Sequence, residues 1–257
     1  MLQAADELRD RFDAYLARHV FAPELGRLED AMRYALEPGG KRVRPVLCLA
    51  VCEAAGGEVD NALPAAAAIE LVHTFSLVHD DLPALDDDAE RRGRPSAHVA
   101  FAEGVALLAG DALLAEAFRL ALSYGDTAVA KELGEATLGM IAGQFRDVTG
   151  DVEDLAAVER LKTGRLLGAA VGLGLRVAGV PDADQAPWRE FGGELGLLFQ
   201  VVDDILDGDG FAERLGADGA RRLADEAAAG ANERLDAIPA DTTVLRALVE
   251  GLAVRTG

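Results

Sequence analysis

The chain has 257 residues, 50% of them hydrophobic, 27% charged and only 5% aromatic. That length can bury one large core without forcing a second domain, so a single domain over 1–257 is expected. A formal net charge of −20 and a pI near 4.5 exclude nonspecific binding to nucleic acid or to an anionic membrane, because the phosphate term would be repulsive.

Segments rich in Ala and Leu, punctuated by Gly and Pro, predict an all-α fold. Apolar periodicity and its stop signals place helices over 2–20, 24–36, 40–56, 61–82, 97–124 with a break near Gly110, 126–148, 154–179, 183–208, 213–233 and 241–255. No strand-like alternation, repeat or low-complexity linker stands out. The first helix is charged and amphipathic from Leu2 to Arg18, unlike a secretory signal. Cys48 and Cys52 lie four apart on an apolar face with no neighbouring His, which is core packing rather than zinc ligation. The stretch Leu166–Val180 carries Arg176 and several glycines and falls short of a spanning helix. The expectation is a soluble cytoplasmic protein with no integral membrane segment. Helices between about 61 and 208 are apolar around much of their circumference, which suits the centre of a bundle.

Two aspartate clusters carry the chemistry. Asp80, Asp81 and Asp86 lie in VHDDLPALDDD, and Asp203, Asp204 and Asp207 in FQVVDDILD. The spacing predicts, in each, carboxylates about one turn apart on one helix face near a helix C-terminus, where they repel one another and oppose the helix dipole. A hard divalent cation, magnesium above all, relieves both costs: it takes one or two carboxylates and completes its shell with water and substrate phosphates. Solvated helix ends are the bland alternative; two clusters of matching form weigh against it.

Cations accompany these acids. GGKRVRP sets Lys41, Arg42 and Arg44 after a glycine pair, a pattern that suits a phosphate cradle at a helix start. Arg91, Arg92 and Arg94 follow the first cluster, either as phosphate forks or as charge balance for Asp87, Asp88 and Glu90. His73 stands seven positions before Asp80, two turns along the same face, and alone reads as a partly buried structural histidine. Lys162, Thr163 and Gln200 say less by themselves, although a Thr hydroxyl and a Gln carbonyl could face a developing cation.

Six ordered motifs, DAMRYALEPGGKRVRP, HTFSLVHDDLPALDDDAERRGRP, GDALL, GQFRD, KTGRLLGAA and FQVVDDILD, make the chain from about Leu8 to Asp207 resemble the trans-isoprenyl diphosphate synthases, the farnesyl and geranylgeranyl diphosphate synthase family. The resemblance implies an all-α isoprenoid synthase bundle around a central prenyl cavity, usually a homodimer. It implies head-to-tail joining of isopentenyl diphosphate to an allylic diphosphate. On matching positions, the six aspartates would hold magnesium ions on the allylic diphosphate with help from Arg91. Lys41, Arg44, His73 and Arg92 would bind isopentenyl diphosphate, and Lys162, Thr163 and Gln200 would lie along the allylic unit. Phe75, five positions before Asp80, with Pro83 and Ala84 inside the cluster, implies a farnesyl product.

The pattern also departs from the family. After Asp207 the usual Gly- and Lys-rich lid segment is missing, and no lysine follows Lys162. Arg214, Arg221 or Arg222 could substitute, or a partner prenyl synthase subunit could. A shortened active synthase is the leading expectation. A noncatalytic regulatory subunit, a geranylgeranyl synthase and a terpene cyclase are the rivals; the intact second cluster and the GGKRVRP cradle speak against the cyclase.

Overall fold

A computed structural model describes residues 2–37, 40–150 and 164–254. Among them the helices are α1 (Leu2–Arg18), α2 (Leu28–Leu36), α3 (Val43–Ala54), α4 (Val59–Asp80), α5 (Ala97–Phe101), α6 (Glu103–Ala121), α7 (Ala128–Thr149), α8 (Arg165–Val177), α9 (Ala186–Asp207), α10 (Gly210–Asp236) and α11 (Thr243–Ala253). The all-α expectation holds, with the first part of the helix expected over 154–179 lying outside the described residues.

The expected absence of strands needs one correction. Glu90–Arg91 (β1) and Arg94–Pro95 (β2) form a minimal antiparallel hairpin. Its two-residue turn has positive φ at both Arg92 (55°) and Gly93 (77°), the twist that matches paired strands. Four residues of ladder are too few to show an alternation in sequence. The break expected near Gly110 sits instead at Ala102, whose φ of 79° separates α5 from α6. Gly110 is buried inside a continuous α6, since one helical glycine costs only about 1 kcal/mol.

α4 is the centre of the bundle. It packs against α3, α6, α7 and α8, and its Ala65–Ala68 run is fully buried, small side chains that let neighbouring helices approach. It is long and apolar enough to cross a membrane by composition, and 72% of its most apolar window lies inside the protein, which is the behaviour of a core helix. Cys48 and Cys52 on α3 are buried in the same core, and burial pushes both thiols up, Cys52 to about 11. They pack as expected and stay uncharged.

Pro64 interrupts α4, because it has no N–H to donate and crowds the preceding turn. Tyr124 repairs the ladder: its hydroxyl accepts from Ala65 N (3.1 Å) and donates to Asn61 O (2.7 Å). Burial is the largest cause of a raised Tyr124 pKa. Tyr124→Phe should therefore lower stability by about 1–3 kcal/mol, the cost of stranding the N–H of buried Ala65. A urea melt with an unchanged midpoint would show that water substitutes for the hydroxyl.

Candidate active site

The segment before α3 builds a basic cavity of about 630 Å³. Arg42, one of the three expected cradle cations, turns away from it in function. From a left-handed backbone (φ 48°) its guanidinium donates to Asp13 Oδ1 (3.0 Å), Glu70 Oε1 (2.7 Å) and Leu36 O (3.0 Å). Both Arg42 and Glu70 are buried, so this residue ties α1, α2 and α4 together and has few donors left for an anion.

Lys41 and Arg44 remain. Lys41 Nζ lies 3.5 Å from Asp203 Oδ1 and 6.0 Å from the centre of the Phe199 ring, while Arg44 lies 5.6 Å from the same ring. Arg44 is buried and its Nε has no protein partner. Burial depresses its pKa, with Glu70 and Asp203 opposing that shift. A buried guanidinium with an unpaired donor is costly unless an anion meets it. His73 reaches the same cavity from α4. Burial, then the surrounding Arg44, Arg92, Arg91 and Arg42, holds its pKa well below the usual imidazole value, so it faces the cavity as a neutral donor or acceptor. Arg92 stacks over Gly40, where a Cβ would come within 2.7 Å of its guanidinium.

A second cavity of about 380 Å³ adjoins the first, and Arg44 and His73 line both. Its walls are apolar: Phe75 and Leu77 from α4, Met140, Ile141, Phe145 and Val148 from α7, and Leu166 from α8. Asp80 lines it as well. So does Gln144, whose side-chain oxygen and nitrogen both lack partners although buried. Sequence spacing alone does not mark Gln144 as a site residue. Its motif GQFRD was visible, but nothing in the spacing shows a polar side chain facing an apolar cavity.

The two aspartate clusters differ from each other. Asp203, Asp204 and Asp207 do lie on one helix, α9. The first cluster does not: α4 ends at Asp80, and Asp86 lies past the helix in a turn, its N–H donating to Asp80 O (2.9 Å). Pro83 and Ala84 take up the loop that folds Asp86 back. Two carboxylates are engaged elsewhere. Buried Asp81 receives Arg91 Nε and a terminal nitrogen, each at 2.6 Å. Buried Asp204 accepts from Gln200 Nε2 (2.6 Å) and from Phe211 N (2.7 Å) in the first turn of α10. Burial raises Asp81, Asp203 and Asp204 above the ordinary carboxylate value, against the pull of Arg91 on Asp81, Lys41 on Asp203 and the Phe211 N–H on Asp204.

No three His, Cys, Asp or Glu side chains among the described residues converge as a complete metal cage. The donor set nevertheless fits a small hard cation of the kind bound through one or two carboxylates and finished by phosphate oxygens. Asp80, Asp86, Asp203 and Asp207 are the carboxylates of the two clusters that would hold it, Asp203 beside Lys41 Nζ at 3.5 Å.

Gln200 faces a third cavity of about 270 Å³ with Gly164, Arg165 and Phe211, and does not line the other two. Lys162 and Thr163 lie outside the described residues. The stretch past Asp207, where the lid segment is expected to be missing, is a short turn. The chain turns at Gly208 (φ 77°) and Gly210 (φ 49°) into the first turns of α10, which kinks at Gly216 (φ 72°, ψ 163°) before running on to Asp236. A Cβ on Gly210 would come within 2.2 Å of Asp204 Oδ2, so only glycine permits this joint. Arg214, Arg221 and Arg222 are exposed on α10 and line neither the basic nor the apolar cavity.

The polyprenyl synthetase family profile matches residues 26–226. The chain belongs to the polyprenyl synthetase family. It is 42% identical over 202 residues, 73% of this chain, to a geranylgeranyl diphosphate synthase of Cyanophora paradoxa, of which it covers 67%. It is 40% identical over 204 residues, 74% of this chain, to a farnesyl diphosphate synthase of Bacillus subtilis, of which it covers 69%. Against other curated polyprenyl synthetase relatives the chain spans as little as 54% of their length. A crystal structure described as a geranyltransferase from Legionella pneumophila superposes with a TM-score of 0.88 at 30% identity, covering 98% of this chain and 96% of that one.

Within this polyprenyl synthetase site, Gly40→Ala should displace the tip of Arg92 without disturbing the core, because the colliding atoms end a flexible side chain. Loss of one charge-assisted hydrogen bond corresponds to about a tenfold weaker affinity for inorganic diphosphate. Equal affinity by calorimetry would place Arg92 outside the anion site.

Proposed function

We propose that the protein joins isopentenyl diphosphate to an allylic diphosphate, head to tail, and that farnesyl diphosphate is its principal product. One observation carries this reading: a basic cavity and an apolar cavity adjoin, with Arg44 and His73 lining both. Such a pair accepts two diphosphates at one end and a prenyl chain at the other.

In this reading Lys41, Arg44, His73 and Arg92 bind isopentenyl diphosphate, and Arg91 leaves Asp81 to help grip the allylic diphosphate. Asp80, Asp86, Asp203 and Asp207 would hold magnesium, whose charge stabilises the departing diphosphate. Asp81 and Asp204 act beside them through Arg91 and through Gln200 and α10. The allylic C1–O bond breaks with its electron pair on diphosphate, and the isopentenyl double bond forms the new C–C bond to C1. That leaves the positive charge on isopentenyl C3; C2 then loses a proton to released diphosphate, and its C–H pair forms the new C2–C3 double bond. The apolar walls give the prenyl chain a nonpolar lining, while the Gln144 carbonyl oxygen offers the cation a dipole. Lys162 and Thr163 are proposed along the allylic unit on the resemblance alone.

Phe75 supports the farnesyl assignment, because it is nearly buried (6% exposed) and stands in the wall of the apolar cavity one turn below Asp80. The chain is similar both to relatives named geranylgeranyl synthases and to one named a farnesyl synthase; in this reading Phe75 is the residue that favours the shorter product. A homodimer fits the exposed apolar side chains of α6 and α7, among them Leu108 (56%), Leu138 (70%) and Phe145 (64%).

The purified protein, given magnesium, isopentenyl diphosphate and dimethylallyl or geranyl diphosphate, should release farnesyl diphosphate, and chelation should stop it. No product from folded protein with either primer would overturn the synthase reading in favour of a regulatory subunit. Phe75→Ala should move the product to geranylgeranyl diphosphate or longer. An unchanged product would remove Phe75 from the floor.

A further inference from the structure

His79 lies one turn nearer the aspartates than Phe75 on α4, and it meets α6. Its ring stands edge-on to the Phe75 ring, with centroids 5.4 Å apart and planes at 88°. Its Nε2 lies 3.0 Å from Leu107 O on α6, a contact that requires the proton on Nε2. The imidazole fills a notch over Gly110, where a Cβ would come within 2.2 Å of Nε2 and 2.4 Å of Cδ2. Asp111 Oδ1 stands 3.9 Å away. The ring is therefore held by a hydrogen bond from one side, by helix backbone beneath and by Phe75 against its edge. His79 and Phe75 both line the apolar cavity.

We propose that His79, seated in the notch at Gly110, is a positioning residue that sets product length by holding the Phe75 ring across the prenyl cavity. The inference rests on the chain-elongation reading above. A buried aromatic ring keeps one rotamer only where its neighbours leave no second seat. Gly110 leaves room for an imidazole between α4 and α6, and the imidazole in turn denies that room to Phe75. Truncating His79 opens a space beside Phe75 into which the phenyl ring can swing, and the cavity lengthens without any change at Phe75 itself. Filling the same space from the α6 side should restore the original limit. A role confined to stability would not produce that reciprocity, since either change would only lower the amount of folded enzyme.

The test compares the products of the parent, His79→Ala and the double variant His79→Ala/Gly110→Val, each with dimethylallyl diphosphate and excess isopentenyl diphosphate. Truncation should raise the ratio of longer to parental product about tenfold, the discrimination ordinarily set by one pocket contact. The double variant should return toward the parental ratio. If the parent elongates and both variants keep its product ratio, the inference about His79 fails alone. If truncation lengthens the product but the double variant does not reverse it, the notch at Gly110 is not the device. If the parent forms no prenyl diphosphate, the synthase reading falls and this inference falls with it. Should His79→Ala prove unfolded by circular dichroism, the refilled double variant and His79→Ser carry the comparison.

Discussion

The site hangs on the buried ion pair between Arg42 and Glu70. Either group alone inside the bundle would be a buried charge without its counter-charge, and removing one partner of such a pair costs about 3–5 kcal/mol. Arg42 completes its shell with Asp13 and the carbonyl of Leu36, so three helices converge on one guanidinium. That convergence fixes the backbone at the start of α3, and with it the directions of Lys41 and Arg44 on either side. The pair contributes little net stability by itself. Its consequence is geometric, because the basic cavity has walls only where this knot holds them.

Around the knot, desolvation governs the electrostatics. Arg44 and His73 are pushed toward neutrality and Asp81, Asp203 and Asp204 toward protonation, each by burial before any neighbour is counted. Acids and bases that both resist their charges describe a site short of counter-ions. An anionic ligand relieves the cations and a divalent cation relieves the carboxylates. For His73 the sign is definite: with its folded pKa lowered, the unfolded chain takes up a proton first, so its contribution to stability is whole above the ordinary imidazole pKa and declines as pH falls below it.

Much of this was legible in the chain. Long apolar helices, the punctuation between them, the second aspartate cluster on its helix and the basic stretch before α3 follow from residue type and spacing, whereas the first cluster, expected on one helix face, leaves α4 after Asp80. What spacing could not show is which distant group claims a side chain. Arg42 looked like its neighbours Lys41 and Arg44 until Glu70 and Asp13 arrived from other helices. Asp81 and Asp204 looked like Asp80 and Asp203 until Arg91 and the Phe211 N–H took them. The hairpin at Glu90–Pro95 escaped because four residues carry no periodicity, and the break at Ala102 because alanine ordinarily signals helix. Gln144 escaped for the opposite reason, since its distinction is having no partner at all.

The joint at Gly208–Gly210 has an entropic side. Segments that settle over a bound ligand lose their freedom at each binding event, at about 1–2 kcal/mol for every residue fixed. Here the second aspartate cluster passes into α10 through a turn already fixed by Asp204, which leaves almost nothing to freeze. Binding therefore draws little ordering entropy from this joint, which is already folded between the second aspartate cluster and the first turn of α10.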